Sequence, residues 1–314
     1  MVFGFVLRRL VGLATVLLGL TFLIFALLVL SPGSTVQSLL GSRPRNPETV
    51  RAITHQYGLD QPFLVQYWHW LARVGHGDLG RSIDSGQTVT SLISERLSVT
   101  LELGGLAFIM VILVGLPLGF LAGVRRGGQI DRLTSALSIV SLSAPTFAVG
   151  IVLIYVFGVK LNWLPVYGAG VGFSDRLTHI LLPAITLAIG LAAVVVRQTR
   201  ASVCDVMDRD YVTFARARGL PTWRILGPYA MRNSSLPIIT SVGLLAIGAV
   251  AGTVLAETVY AVPGLGSLMT HAIQVKDIPV AQGVALVFAA AVVSINVVVD
   301  VFVLVLDPRT RQGS

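Results

Sequence analysis

The sequence predicts an all-α integral membrane protein with six transmembrane helices. The first observation is composition: 54% of the 314 residues are hydrophobic and only 12% are charged, against roughly 25% charged in a soluble domain. The second is a set of six long apolar windows, at about residues 9–30, 101–124, 133–159, 178–198, 234–257 and 280–306. Each is long enough to cross a hydrocarbon core as a helix and far too long for a barrel strand. The third is the placement of arginine. The net charge of +8 comes almost wholly from Arg, since Lys160 and Lys276 are the only lysines.

With six crossings, the arginines at the following positions share one side. Arg8 and Arg9 precede the first window. Arg125, Arg126 and Arg132 lie between the second and third. Arg197, Arg200, Arg209, Arg216, Arg218, Arg224 and Arg232 lie between the fourth and fifth, and Arg309 and Arg311 follow the last. The positive-inside rule makes that side the cytoplasm and puts both termini there. Arginine used this way is a topology signal, so no nucleic-acid partner is expected.

Residues 1–30 are read as an uncleaved N-terminal span. The run 10–30 holds no charge over 21 residues, longer than a signal-peptide core, and Ser31-Pro32-Gly33 is no cleavage site. Residues 31–100 then form an external helical link. Asn46-Pro47-Glu48 opens one helix, closed at Gly58; Asp60-Gln61-Pro62 opens another, closed near Gly75. Tyr67, Trp68 and Trp70 suit a membrane–water boundary. Residues 101–306 make up the transmembrane core, and 307–314 a cytoplasmic tail.

Within the core, Pro117, Pro145, Pro183 and Pro237 interrupt spans two to five and are candidate hinges. Two external loops are rich in turn formers: 160–177, with Trp163 and Pro165, and 258–279, with Pro263, Gly264 and Gly266 after Glu257. The charge-dense stretch Asp210–Leu220 carries helix start and stop signals. Asp210 can cap a short helix, Gly219 suits its left-handed end, and Pro221 blocks continuation. Thr222 can cap a second short piece. A polar helix held between spans has the form of a docking element.

Absent chemistry narrows the field. No Gly-Lys pair exists, so a Walker A phosphate loop is impossible. The five histidines form no metal-spaced pair, the single cysteine Cys204 cannot form an intrachain disulfide, and no G-x-S-x-G elbow appears. Asp300, with Ser294 and Asn296, is the best candidate for a polar site in the spans, alongside an interhelical hydrogen-bond cluster as the plainer reading. The chain therefore reads as a passage driven by a separate motor.

Eight stretches, in order, carry a resemblance: GDLGRS (77–82), SLSAPTFAVG (141–150), WLPVYG (163–168), HILLPAITLA (179–188), RQTRASV (197–203), DYVTFARARGL (210–220), ETVYAVPGLG (257–266) and DPR (307–309). With these the chain resembles the permease subunits of bacterial ATP-binding-cassette importers of the dipeptide/oligopeptide/nickel class, in particular the first-permease type with a long link after span one. The resemblance implies the type I importer permease fold, an N-terminal helix plus a five-helix core, in the bacterial inner or plasma membrane. It implies four kinds of partner: a homologous second permease, two ATP-binding subunits, an external solute-binding protein and membrane lipid. It implies no cofactor and no catalysis on this chain, ATP and Mg²⁺ being held by the partner subunits. Peptide is the default substrate.

The resemblance also makes residues 210–220 the coupling helix that lies in a groove of the ATPase. Its docking residues would be Asp210, Thr213, Ala215, Arg216, Ala217, Arg218, Gly219 and Leu220. Thr213 stands where the family's general loop has an acid, and Arg218 where the peptide class commonly has lysine. Trp163, Pro165, Glu257, Pro263, Gly264 and Gly266 would lie on the binding-protein side. The alternative is a secondary carrier working alone, which calls for mid-membrane polar groups and usually an internal repeat; a further rival is a scaffold that moves nothing.

Overall fold

Long uncharged runs leave backbone polar groups no partner but one another, and the chain answers with helices. The structure, a computed structural model, describes residues 2–29, 47, 48, 51, 54 and 60–306. No strand occurs among the described residues; Arg81 and Thr88 form an isolated bridge. The expected cap Asn46, the closing Gly58, the Ser31-Pro32-Gly33 stretch and the tail 307–314 with Arg309 and Arg311 lie outside them, as do the side chains of Arg8 and Arg9. The described residues divide into two compact units, Met1–Thr100 with Pro263–Val293, and Leu101–Val262 with Ser294–Ser314.

In the first unit, α1 (Val2–Val29) takes up the expected first span and α2 (Phe63–Gly75) packs on it. Phe22 and Phe25 of α1 meet Phe63 and Tyr67 of α2 with ring centroids 5.3–5.8 Å apart, and Thr21 shares a 2.9 Å hydrogen bond with the Tyr67 hydroxyl. Tyr67 and Trp70 thus turn inward on α1, and only Trp68 of the three expected boundary aromatics faces out. Asp60 does not cap α2. Pro62 holds the cap position, its carbonyl accepting from Val65 and Gln66.

The core of this unit joins the start of α3 (Val89–Met110) to α11 (Leu265–Gln274) and the start of α12 (Ile278–Leu306). Val89, Ile93, Leu265, Leu268, Val280 and Val284 are buried together. Asp277 ties the unit shut. Its buried carboxylate accepts from the Ser82 hydroxyl at 2.5 Å, from the N–H groups of Ile83 and Asp84 at 3.1 and 3.3 Å, and from Val280 in the first turn of α12.

In the second unit, α3 runs through a wide π turn (Val111–Gly115) into α4 (Leu116–Val124). Pro117 explains the widening, since its ring would crowd a carbonyl one turn back in a regular helix. Gly115, Gly119 and Gly123 recur every four residues and face Val195, Thr199 and Val203 of α7 (Phe173–Met207). A Cβ on Gly119 would lie 2.7 Å from the Val196 carbonyl oxygen, so the two backbones touch because no side chain separates them.

The third expected span is the main departure. Residues 133–159 do not form one straight helix: α5 (Gln129–Ser143) and α6 (Thr146–Leu153, continuing through a π turn to Lys160) meet at 102°. Ala144 is extended, as a residue before proline prefers, and Pro145 caps α6 through its carbonyl. Among the described residues, four unbroken helices are apolar and long enough to cross a membrane, at Val89–Val124, Phe173–Met207, Pro237–Val259 and Ile278–Val303. Pro183 lies buried inside α7 without breaking it, and Pro237 sits within α10 (Arg232–Val259), downstream of another π turn at Ile225–Met231.

Two sets of contacts lock α7 to its neighbours. Asp131 on α5, itself buried, receives both arms of the Arg200 guanidinium and the Gly127 N–H. Tyr260, at the end of α10, is 1% exposed; its hydroxyl shares a 2.8 Å bond with Thr186 and donates to the Gly150 carbonyl at 3.2 Å. Burial pushes the Tyr260 phenol up, so it stays protonated as that donor.

Candidate functional site

Arg209 ends the turn after α7 in an extended conformation, and α8 (Asp210–Ala217) follows. Arg209 holds the cap position, so Asp210 is the first helical residue and not the cap. Its charge still complements the positive end of the helix dipole. Thr222 likewise begins α9 (Thr222–Arg224) without capping it.

The far end of α8 matches expectation closely. Gly219 takes φ +70°, its N–H donates to the Arg216 carbonyl at 2.9 Å, and the Leu220 N–H reaches the Ala215 carbonyl at 3.2 Å. Those paired bonds are a Schellman turn, and a left-handed residue is needed at its centre.

Val212 and Ala215 are buried with Ile225, and Met207, Leu220 and Tyr229 pack around them. Tyr211 stacks on Tyr229 at 6.2 Å. Ala215, expected to face a partner's groove, therefore anchors α8 to its own chain; a small residue there lets the helix lie close to the π turn behind it. The outward face carries Asp210, Thr213, Phe214, Arg216, Ala217, Arg218 and Gly219, all exposed. Two aromatics that sequence reasoning left out of the site stand free: Phe214 is 67% exposed and Trp223 68%. The Arg224 guanidinium lies 5.0 Å from the Trp223 ring centroid. An apolar side chain in the middle of a charged eight-residue helix was the available signal for Phe214.

The arginine-bearing links gather at one end of the second unit. Arg126 pairs with Asp208 at 2.8 Å, and Asp131 with Arg200. The link between α4 and α5 thus touches the end of α7, beside α8. Away from that end, Glu102 within α3 and Arg176 in the first turn of α7 form another ion pair at 3.3 Å.

The residues expected on the binding-protein side divide by burial. In the second unit, Trp163 is 67% exposed, with its ring 5.9 Å from Phe157, and Pro165 is half-buried. Glu257 is fully buried and offers no outer surface; its carbonyl holds the Val262 N–H in the turn after α10. In the first unit, Pro263 is exposed, whereas Gly264 and Gly266 are buried at the start of α11. Among the described residues no cluster of three His, Cys, Asp or Glu could hold a metal ion.

Residues 115–312 match the family described as binding-protein-dependent transport system inner membrane component, and residues 2–104 match its N-terminal companion. The chain belongs to this family. It is 36% identical to a probable peptide ABC transporter permease, y4tP, of Sinorhizobium fredii, over 98% of this chain and 99% of that protein. It is also 36% identical to the dipeptide transport system permease DppB of Escherichia coli K12, over 98% of each chain. The glutathione transport system permease GsiC of Salmonella typhimurium is again 36% identical, over 98% of this chain and 99% of that one. Among solved structures, the inward-facing MetNI methionine ABC transporter matches 69% of this chain and 96% of its own, with TM-score 0.56 at 17% identity. The chain thus has the fold of an ABC importer permease and is a multi-pass membrane protein of that family.

Proposed function

We propose that this chain is the first permease of an ATP-driven importer that moves short peptides into the bacterial cytoplasm. It pairs with a homologous second permease, takes solute from an external binding protein, and is driven by two ATPase subunits below. ATP and Mg²⁺ belong to those subunits. Both termini lie on the arginine-rich side, which is the cytoplasm. Relatives matched over 98–99% of their own length that carry peptide, dipeptide and glutathione permease names support the substrate class.

One observation carries the coupling role: α8 is fixed to its own chain by Val212, Ala215 and a Schellman turn while it presents Phe214, Arg216 and Arg218 outward. Such a helix moves as one piece with whatever grips its outer face. Phe214 is the anchor that fits an apolar pocket, and the arginines pair with acids at its rim; exposed aromatics and arginines are the side chains that dominate interface energetics. ATP binding draws the helix inward and opens the passage outward; hydrolysis reverses this. The grip must differ between the two states, or no equilibrium shifts. Pro117, Pro145, Pro183 and Pro237 are the hinge points of that motion, with the 102° break at Pro145 as the sharpest.

The reconstituted complex tests this. Phe214→Asp and the paired change Arg216→Glu with Arg218→Glu should leave the four subunits assembled in the membrane but abolish solute-stimulated ATP hydrolysis and uptake. Full coupling in both variants would refute the assignment of α8.

A further inference from the structure

The second unit holds a cavity of about 570 Å³ between the second half of α3 and the start of α7. That is within the roughly 300–1,000 Å³ range of small-molecule sites. Leu106, Ile109, Leu177 and Ile180 supply apolar walls, and among the described residues the charged groups lining it are Glu102 and Arg176. These two face each other at 3.3 Å, and their side chains are about one-third exposed, 38% and 33% respectively. The cavity lies far from the Arg126–Asp208 pair, beside the start of α7; roughly 30 Å of helix separates Glu102 from the end of α4. On the topology proposed above this is the outer end, where solute arrives.

We infer that this cavity is a subsite for a zwitterionic peptide, with its ammonium on Glu102, its carboxylate on Arg176 and its side chains against the apolar walls. The inference rests on the importer reading and adds the recognition chemistry. A lone anion drawn by Arg176 meets the Glu102 charge, and a lone cation meets Arg176. A ligand carrying both charges satisfies both groups at once. At neutral pH a free peptide carries that combination, its termini titrating near 3.5 and 8. A dipeptide spans about 7 Å, short enough for both ends to reach one ion pair. A guanidinium has five N–H donors and a carboxylate about four acceptor sites, so each partner can hold the other and a ligand charge together.

Gly105 sharpens the picture. It lines the cavity, and a Cβ placed on it meets nothing within 4 Å. Gly105 is exposed at the cavity wall, so a larger side chain there narrows the site without disturbing the packing. A zwitterionic phospholipid headgroup presents the same pair of charges and is the other source of this chemistry.

The test uses the whole complex, this chain with its second permease and ATPase subunits, in nanodiscs without the binding protein. Saturation-transfer NMR reads weak binding of dialanine, N-acetyl-dialanine and dialanine amide directly. Dialanine should give a signal that Glu102→Gln, Arg176→Gln and Gly105→Leu each reduce about tenfold or more, as the loss of a charge-assisted bond or of the space itself implies. Each capped peptide should bind more weakly than dialanine. A signal unchanged in all three variants, or equal for capped and free peptides, overturns the inference. Nanodiscs made with and without phosphatidylethanolamine separate the sources: dialanine binding present only when that lipid is absent assigns the site to the headgroup and overturns it as well. Uptake of dialanine into proteoliposomes with the binding protein added stands apart. Uptake without the site signal removes the subsite and leaves the importer; site binding without uptake leaves the subsite and removes the importer.

Discussion

The Asp277 carboxylate and the Ser82 hydroxyl meet at 2.5 Å although 195 residues separate them in the chain. Asp277 also serves the N–H groups of Ile83, Asp84 and Val280, so one charge closes a turn and caps a helix. Ser82→Ala should cost about 1 kcal/mol, because the other bonds persist. Asp277→Ala should cost roughly 3 kcal/mol, leaving buried donors without an acceptor. Thermal unfolding of the purified complex in detergent measures both.

Breaking the pair between Asp131 and Arg200 should do more harm than replacing it. Arg200→Met strands the buried Asp131 carboxylate and should cost about 3–5 kcal/mol, whereas adding Asp131→Leu to the same chain should recover most of that loss. A double-mutant cycle read by unfolding midpoint shows the difference; a double variant no better than Arg200→Met refutes it.

Tyr260→Phe removes a hydroxyl that joins α10 to Thr186 on α7 and to the Gly150 carbonyl on α6. The expected loss is about 1–2 kcal/mol, the cost of unsatisfied buried polar groups with packing unchanged. Tyr260→Leu should lose more, since a buried ring goes as well.

Two glycines should lose stability for different reasons on the same change. Gly219→Ala meets open space and should cost only the left-handed strain of about 1 kcal/mol. Gly119→Ala places a methyl 2.7 Å from the Val196 carbonyl oxygen on α7 and should cost about 1–3 kcal/mol through forced separation of the helices. Expression and thermal stability of the two variants side by side check the contrast.

Much of this molecule was legible in the residues. Runs without charge mark spans because lipid tolerates little else, and the Gly219-Leu220-Pro221 sequence announced the end of α8 through backbone preference alone. What escaped was whatever depends on neighbours. Ala215 reads as a surface residue of a polar helix until Ile225 and Met207 are seen to cover it. Asp210 and Thr222 have capping side chains, yet Arg209 and Pro221 hold those positions, because local propensity does not set the register of a helix against its flanking turn. Glu257 reads as a residue of the binding-protein side at the outer end of a span, and lies fully buried. Pro145 was visible as an interruption, but the 102° angle depends on the extended Ala144 before it. Arg200, Ser82 and Arg176, which meet Asp131, Asp277 and Glu102, are distant from them in sequence, and no spacing rule reaches them.

The π turns at Val111–Gly115, Ile154–Lys160 and Ile225–Met231 have a further consequence for how such a chain can change length. A π turn holds one residue more than the α-helical turn it replaces. Removing a residue elsewhere in α4 or α7 would swing everything beyond it by about 100° and turn a glycine stripe away from its neighbour. Removing one from Val111–Gly115 would let that turn tighten to α and leave the faces on either side aligned, with the crowding by Pro117 as its cost. These three places are therefore slack in an otherwise rigid register, where a deletion can be absorbed and where a helix can lengthen or shorten by a residue without rotating its far end.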